Sequence, residues 1–141
     1  MKVKELYSER GPEPVGLYPS AKQAGDFLFI SGVGPRKLGQ KSIPGVKLNE
    51  EGEVESYDIE IQTRSVLDNV KLILEDCGSS WENLLDITVF LTDMKSDFST
   101  FNKLYAEYFK GTRLPARTTI EVNKLPTPIA IELKCTALIK K

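Results

Sequence analysis

Apolar and polar positions recur along this chain with periods that change from segment to segment, and the changes mark out a series of strands and helices. The run Asp26-Phe27-Leu28-Phe29-Ile30-Ser31-Gly32 is short, aromatic and branched, with Gly25-Asp26 as a turn signal ahead of it. That pattern predicts a buried strand. Val66, Leu67, Val70, Ile73, Leu74 and Cys77 then fall three and four residues apart, with Arg64, Asp68, Lys71 and Glu75 turned outward. This spacing predicts an amphipathic helix, with Ser56 as a cap and Gly78 as its end. Ser79 and Glu82 have capping-box spacing for a short turn around Trp81. Leu85, Ile87, Val89 and Leu91 next alternate with Asp86, Thr88 and Thr92, which predicts a strand; Phe90 interrupts the alternation, so both faces are expected to be covered. A second helix is signalled by Asp97 as a cap, by Phe98, Phe101, Leu104, Tyr105, Tyr108 and Phe109 on one side, and by Gly111 at its close. Its aromatic stripe reads as core packing.

Arg117 to Val122 and Ile129 to Ile139 complete the series as two strands separated by Asn123-Lys124-Leu125-Pro126-Thr127-Pro128. Pro35 to Ser56, rich in Gly, Pro, Lys and Glu, reads as one long loop. The order strand, helix, strand, helix, strand, strand predicts an α+β sandwich with both helices on one side of a sheet. The chain shows no internal repeat, and its 141 residues match one domain.

Composition narrows the chemistry. Nineteen basic residues face 20 acidic ones, for a net charge of -1, so a strongly basic nucleic-acid surface is not expected and ribonuclease action fits poorly. The chain contains no histidine. Ser-His-Asp and Cys-His catalysis both need an imidazole to carry the proton, and His-based metal sites go with it. Cys77 and Cys135 lie too far apart for a CxxC motif and are too few for an all-cysteine metal site, so no metal centre is expected and a reducing compartment is. Met1-Lys2-Val3-Lys4-Glu5 carries charge where a signal peptide needs an apolar stretch, and no apolar run approaches the ~18 residues of a membrane span. The expectation is a cytoplasmic protein with no membrane role.

Two charged residues on the last strands are the candidates for chemistry. On the first of these strands Arg117, Thr119 and Glu121 share a face; on the second, Glu132 interrupts a hydrophobic strand from its polar face with Ala130, Lys134 and Thr136. Antiparallel pairing of the two strands in one register brings Arg117 and Glu132 to the same face, and a shift of one residue separates them. A guanidinium grips a carboxylate with two parallel bonds, and a glutamate holds or activates water. The plain alternative is a cross-strand ion pair. Ser31-Gly32, at a strand end, either presents backbone N–H groups to a ligand or simply turns the chain.

GDFLFISG (Gly25 to Gly32), QTRSVLDNVKLILEDCG (Gln62 to Gly78), TVFLTDMKSDFSTFNKLYAEYF (Thr88 to Phe109), PARTTIEVNKLP (Pro115 to Pro126) and IAIELKCTA (Ile129 to Ala137) together resemble the Rid family, also called YjgF, collinearly over nearly the whole chain. The resemblance implies a single domain over residues 1–141, a chorismate-mutase-like subunit with a mixed sheet and two helices on one face, and a homotrimer with ligand sites between subunits. It further implies enamine or imine deamination without a cofactor, with Arg117 clamping the substrate carboxylate and Glu132 positioning water. Tyr18, Ser31, Gly32 and Asn102 match the family's substrate-binding positions. This chain departs at Val33, where the best-known members have Gln, and at Thr119, where they have Cys. The second change argues against a small 2-aminoacrylate substrate while leaving the anion clamp. Ile43-Pro44-Gly45-Val46, Tyr57-Asp58-Ile59, Gln62-Thr63-Arg64 and Arg117-Thr118-Thr119 look like the family's 2-aminomuconate deaminase branch. That substrate has a second carboxylate, so a second cation is expected among Arg36, Lys37, Arg64 and Arg113, with Arg36 favoured because it follows Ser31-Gly32 closely. The rivals are a general 2-imino acid deaminase and a trimer that binds a carboxylic metabolite without catalysis.

Overall fold

The computed structural model describes residues 1–141. Its elements run β1 (Val3–Leu6), β2 (Ala21–Ala24), β3 (Phe27–Val33), β4 (Val46–Leu48), β5 (Val54–Tyr57), α1 (Ile59–Asp76), a 3-10 turn (Trp81–Asn83), β6 (Leu84–Leu91), α2 (Met94–Phe109), β7 (Ala116–Glu121) and β8 (Ile131–Leu138). Six strands form one mixed sheet in the order β1-β2-β3-β8-β6-β7, while β4 and β5 form a separate hairpin. The helical crossover from β6 through α2 delivers β7 parallel to β6, as a connection of that length permits. β8 then enters antiparallel between β3 and β6.

That insertion builds the core. Cys135 of β8 pairs with Ile30 on one side and Ile87 on the other, and Leu28, Val89, Leu91, Ile131 and Leu133 extend the same buried face. Val66, Leu67, Val70 and Leu74 of α1 and Phe101, Tyr105 and Phe109 of α2 close over it as one cluster. Each large apolar side chain buried here contributes about 1.5–3 kcal/mol relative to exposure, so this layer fixes the strand order. The opposite face of the sheet is open, with Phe27 46%, Phe29 43% and Ile120 39% exposed.

The α+β class, the mixed sheet and the two helices on one face agree with the sequence expectation, but several boundaries differ. α1 begins at Ile59, capped by Asp58, whose side chain accepts from the Ile61 N–H at 3.1 Å; Ser56 lies inside β5. The first turns of α1 bury Gln62, Thr63 and Ser65, and buried polar residues break the apolar period that would have revealed them. α2 is capped by Asp93 rather than Asp97. Asp97 is 4% exposed within the helix and accepts the Tyr57 hydroxyl at 2.6 Å, which ties the β4–β5 hairpin to α2. The stretch expected as one loop therefore contains that hairpin. The turn around Trp81 forms, but the Ser79 hydroxyl donates to the Leu138 carbonyl at 2.6 Å instead of capping. β1 and β2, Val-Lys-Glu-Leu and Ala-Lys-Gln-Ala, are short and polar and left no periodic signal.

The largest difference concerns β7 and β8, which do not pair because β6 lies between them. Stepping over one strand needs only about 10 Å, well within the connection from Val122 to Ala130.

Candidate functional site

The site is built around a break in strand register. Ile30 pairs with Cys135, yet Val33 pairs with Leu133, so β3 carries one extra residue at Ser31-Gly32. A bulge of this kind bends its strand and re-aims the chain. Gly32 lies against Glu132 of β8: a Cβ at Gly32 would stand 2.9 Å from Glu132 Oε2, so glycine leaves the room the carboxylate occupies. Ser31 works in the other direction. Its hydroxyl donates to the Pro19 carbonyl at 2.8 Å and its N–H to the Ser20 carbonyl at 3.0 Å, which holds the Gly16–Pro19 turn beside the bulge. In that turn the Tyr18 hydroxyl accepts from the Val15 N–H at 3.2 Å.

The segment before this turn is pinned at its far end. Asp76 accepts from the Ser8 hydroxyl at 2.7 Å and from Arg10 Nε at 2.7 Å, and the Ser8 N–H donates to the Ser20 hydroxyl at 2.9 Å. From the other side, Arg36 Nη2 donates to the Glu13 carbonyl at 2.9 Å. These bonds enclose a cleft lined by Tyr18, Ser31, Gly32, Arg36 and Glu132, with Pro14 and Ile129 among its walls. The Glu132 carboxyl is half-buried and has no hydrogen-bond partner in the chain; burial pushes its pKa above the usual carboxylate value.

Arg117 belongs to a different surface. It pairs with Ile87, and Thr119 pairs with Val89, so both side chains lie on the helix-covered face. Glu132 pairs with Phe90 on the opposite face. Within one chain, then, Arg117 and Glu132 are separated by the sheet, unlike the shared face that one register of directly paired strands would give, and no ion pair joins them. The Arg117 guanidinium packs over three rings of α2, 4.6 Å from the Tyr105 centroid, 5.4 Å from Phe101 and 6.0 Å from Phe98. No protein oxygen accepts from it. Thr119, on the same face, has a buried hydroxyl without a partner. Asn102 is exposed on α2, one turn beyond Phe98.

Of the eight residues singled out from the sequence, five line the Glu132 cleft and three, Arg117, Thr119 and Asn102, lie with α2 and the edge strand β7. The four candidate cations also separate. Lys37 Nζ donates to the Ser65 carbonyl and Asn69 Oδ1. Arg64 faces Glu60 and Glu107, and Arg113 lines a separate groove with Glu82 and Leu114. Arg36 alone of the four lines the Glu132 cleft. Sequence reasoning missed the three rings under Arg117, since a helical aromatic stripe has the same spacing whether it packs a core or carries a cation. It also missed the Pro12–Val15 wall, which has no periodicity.

Chemically, one surface offers a cation without an acceptor and the other an acid without a donor. Known proteins share this framework. The family model described as Endoribonuclease L-PSP matches residues 8–139. A RutC family protein of Pyrococcus horikoshii is 42% identical over 132 residues, 94% of each chain. Reactive Intermediate Deaminase A, chloroplastic, of Arabidopsis thaliana is 35% identical over 139 residues, 99% of this chain and 67% of that one. Among solved structures, that of E. coli TdcF with bound serine superimposes with a TM-score of 0.83 at 29% identity, covering 97% of this chain and 99% of the other.

Proposed function

The chain belongs to the Rid (YjgF, endoribonuclease L-PSP) family, and from that premise we propose that it hydrolyses an enamine or imine carboxylic acid to the oxo acid and ammonia, at a site that two copies in a homotrimer build together. The observation that carries the reading is the split itself: Arg117, without an acceptor, and Glu132, without a donor, stand on opposite faces of one sheet. A second copy can supply what each lacks.

In this reading Arg117 of one copy grips the substrate carboxylate, with Thr119 and Asn102 beside it. Glu132 of the next copy meets the reacting carbon together with Tyr18 and the Ser31-Gly32 bulge. The enamine takes a proton on carbon and loses one from nitrogen, which gives the imine. Glu132 then removes a proton from water as its oxygen attacks the imine carbon and returns that proton to nitrogen, giving the carbinolamine; a second transfer, from the carbinolamine hydroxyl through Glu132 to the amino nitrogen, lets ammonia leave as the carbonyl closes. Every step is an addition, an elimination or a proton transfer, and a positioned acid-base group accelerates such steps by about 10²–10⁴-fold. The raised pKa of Glu132 makes it a readier proton donor than an ordinary carboxyl, as suits a group that must both take and return a proton. The serine bound to TdcF shows an amino acid, with its carboxylate, bound by a relative.

The finer reading is 2-aminomuconate deamination, supported by Arg36 in the Glu132 cleft, where a second carboxylate would displace the Glu13 carbonyl from its guanidinium. A general 2-imino acid deaminase is the second reading, favoured by the name of the Arabidopsis relative. We propose a cytoplasmic location; separately, Cys77 and Cys135 are free and buried, and no helix is long and apolar enough to cross a membrane.

Ammonia release tests these readings. Purified protein is mixed with enzymatically generated 2-aminomuconate and, separately, with imines made by an amino-acid oxidase. Acceleration of both, with Arg36→Ala losing about tenfold or more on the dicarboxylate alone, supports the finer reading. Equal losses on both substrates reject the role of Arg36. Acceleration of the simple imines only selects the general deaminase, and acceleration of neither leaves a carboxylate-binding trimer.

A further inference from the structure

The surroundings of Arg117 imply more than a cation in reach of a ligand. An arginine placed to clamp an anion is ordinarily fixed by hydrogen bonds to the protein, which use up some of its five N–H donors. Within the chain Arg117 makes none of these, its side-chain interactions being with three rings. Its guanidinium is instead held over the faces of Tyr105, Phe101 and Phe98 at 4.6, 5.4 and 6.0 Å. These rings also contact one another, Phe98 with Phe101 at 6.5 Å and Phe101 with Tyr105 at 5.6 Å, so they form a single surface along one side of α2. Phe101 is fully buried and Tyr105 is 9% exposed, which makes that surface rigid, while Phe98 is partly buried at its outer end.

We infer that Phe98, Phe101 and Tyr105 are positioning residues for the Arg117 anion clamp, an aromatic platform that orients the guanidinium by cation–π attraction and leaves its forked N–H donors free for the ligand carboxylate. The inference rests on the reading of Arg117 as the carboxylate clamp and adds to it the means by which the clamp is aimed. The attraction acts on the ring face and needs no acceptor. It therefore directs the guanidinium without competing for the bonds that a carboxylate must make. The Tyr105 hydroxyl takes no part: it is buried and unpartnered, and burial raises its pKa to about 12 against the opposing effect of Arg117. The ring, not the phenol, is the working group.

The test is calorimetric titration of the full chain with pyruvate, an unreactive carboxylate of the product class. The substitutions are Phe98→Leu and Tyr105→Leu, each made with Arg117 present and with Arg117→Ala. Each weakens pyruvate binding about tenfold when Arg117 is present, Tyr105→Phe restores most of the affinity, and neither weakens it further when Arg117 is already alanine. Thermal unfolding identifies any variant that fails to fold, and Phe98, less buried than Tyr105's ring neighbour Phe101, keeps the test available if Tyr105→Leu does. Unchanged affinity in folded Phe98→Leu, or an equal loss with and without Arg117, overturns the platform while leaving the clamp. Pyruvate bound by Arg117→Ala as well as by the unsubstituted chain, or by neither, overturns the clamp and the platform with it.

Discussion

Arg117→Ala lowers kcat/KM for an imino acid by about a hundredfold or more. A bidentate guanidinium–carboxylate contact contains two charge-assisted hydrogen bonds, each worth about 1.5–3 kcal/mol, and every ~1.4 kcal/mol is a factor of ten. Arg117→Lys recovers only part of the loss, because a lysine ammonium keeps the charge but not the planar fork. The fold tolerates either change: the side chain bonds to no protein oxygen, and the core beneath it is made by Ile87, Cys135 and Phe101. Ammonia release over a substrate range measures the effect, and unaltered thermal unfolding shows that it is local.

Glu132→Gln cuts turnover by orders of magnitude while making the chain more stable at neutral pH. The amide keeps the size of the carboxyl but neither takes nor returns a proton, so kcat falls by about 10²–10⁴-fold. The stability effect follows from proton linkage. Burial raises the pKa of Glu132 in the folded state, so the folded chain holds this proton more firmly than the unfolded chain does. That contribution is complete below the unfolded pKa and is lost as pH rises through the folded one. Above the folded pKa of Glu132 the native protein carries a partly buried charge that glutamine removes. The melting temperature of Glu132→Gln therefore exceeds that of the native chain at neutral pH, and the gap closes as pH falls toward about 4. The same titration sets the acid limb of native kcat/KM, which lies above the ordinary carboxylate range. A higher melting temperature coupled to lost turnover is the pattern of an active-site residue held at a cost to stability.

How far these residues were legible in the sequence depends on what kind of order each belongs to. The core face of α1 from Val66 to Cys77 and the alternation Ile87, Val89, Leu91 are repetitive, and burial in the structure matches them; Leu85, expected on the same face, is instead 38% exposed and Leu84 buried, because the register shifts between Leu84 and Asp86. The β1, β2, β4 and β5 strands are three or four residues long, too short and too polar to repeat. Whether β7 pairs with β8 is a long-range choice, decided when β8 enters between β3 and β6, and local alternation is the same either way. That choice determines which face Arg117 and Glu132 occupy. Glu132 stood out as an acid in an apolar strand, and Gly32 as a glycine at a strand end, but their mutual fit depends on a bulge that shifts register by one residue. The resemblance of the ordered motifs to a known family supplied the pairing of roles, which spacing alone left open between an active site and an ion pair.

The central claim is that the cation and the acid of one working site come from different copies of the chain. Mixing inactive Arg117→Ala and inactive Glu132→Gln subunits under conditions that let oligomers exchange tests it directly. In a random equimolar mixture, a site built from one half of each neighbour finds an intact Arg117 and an intact Glu132 about one time in four, so ammonia release recovers to roughly a quarter of the native rate. Subunits that exchange fully, shown by mass, yet remain inactive together would contradict the account.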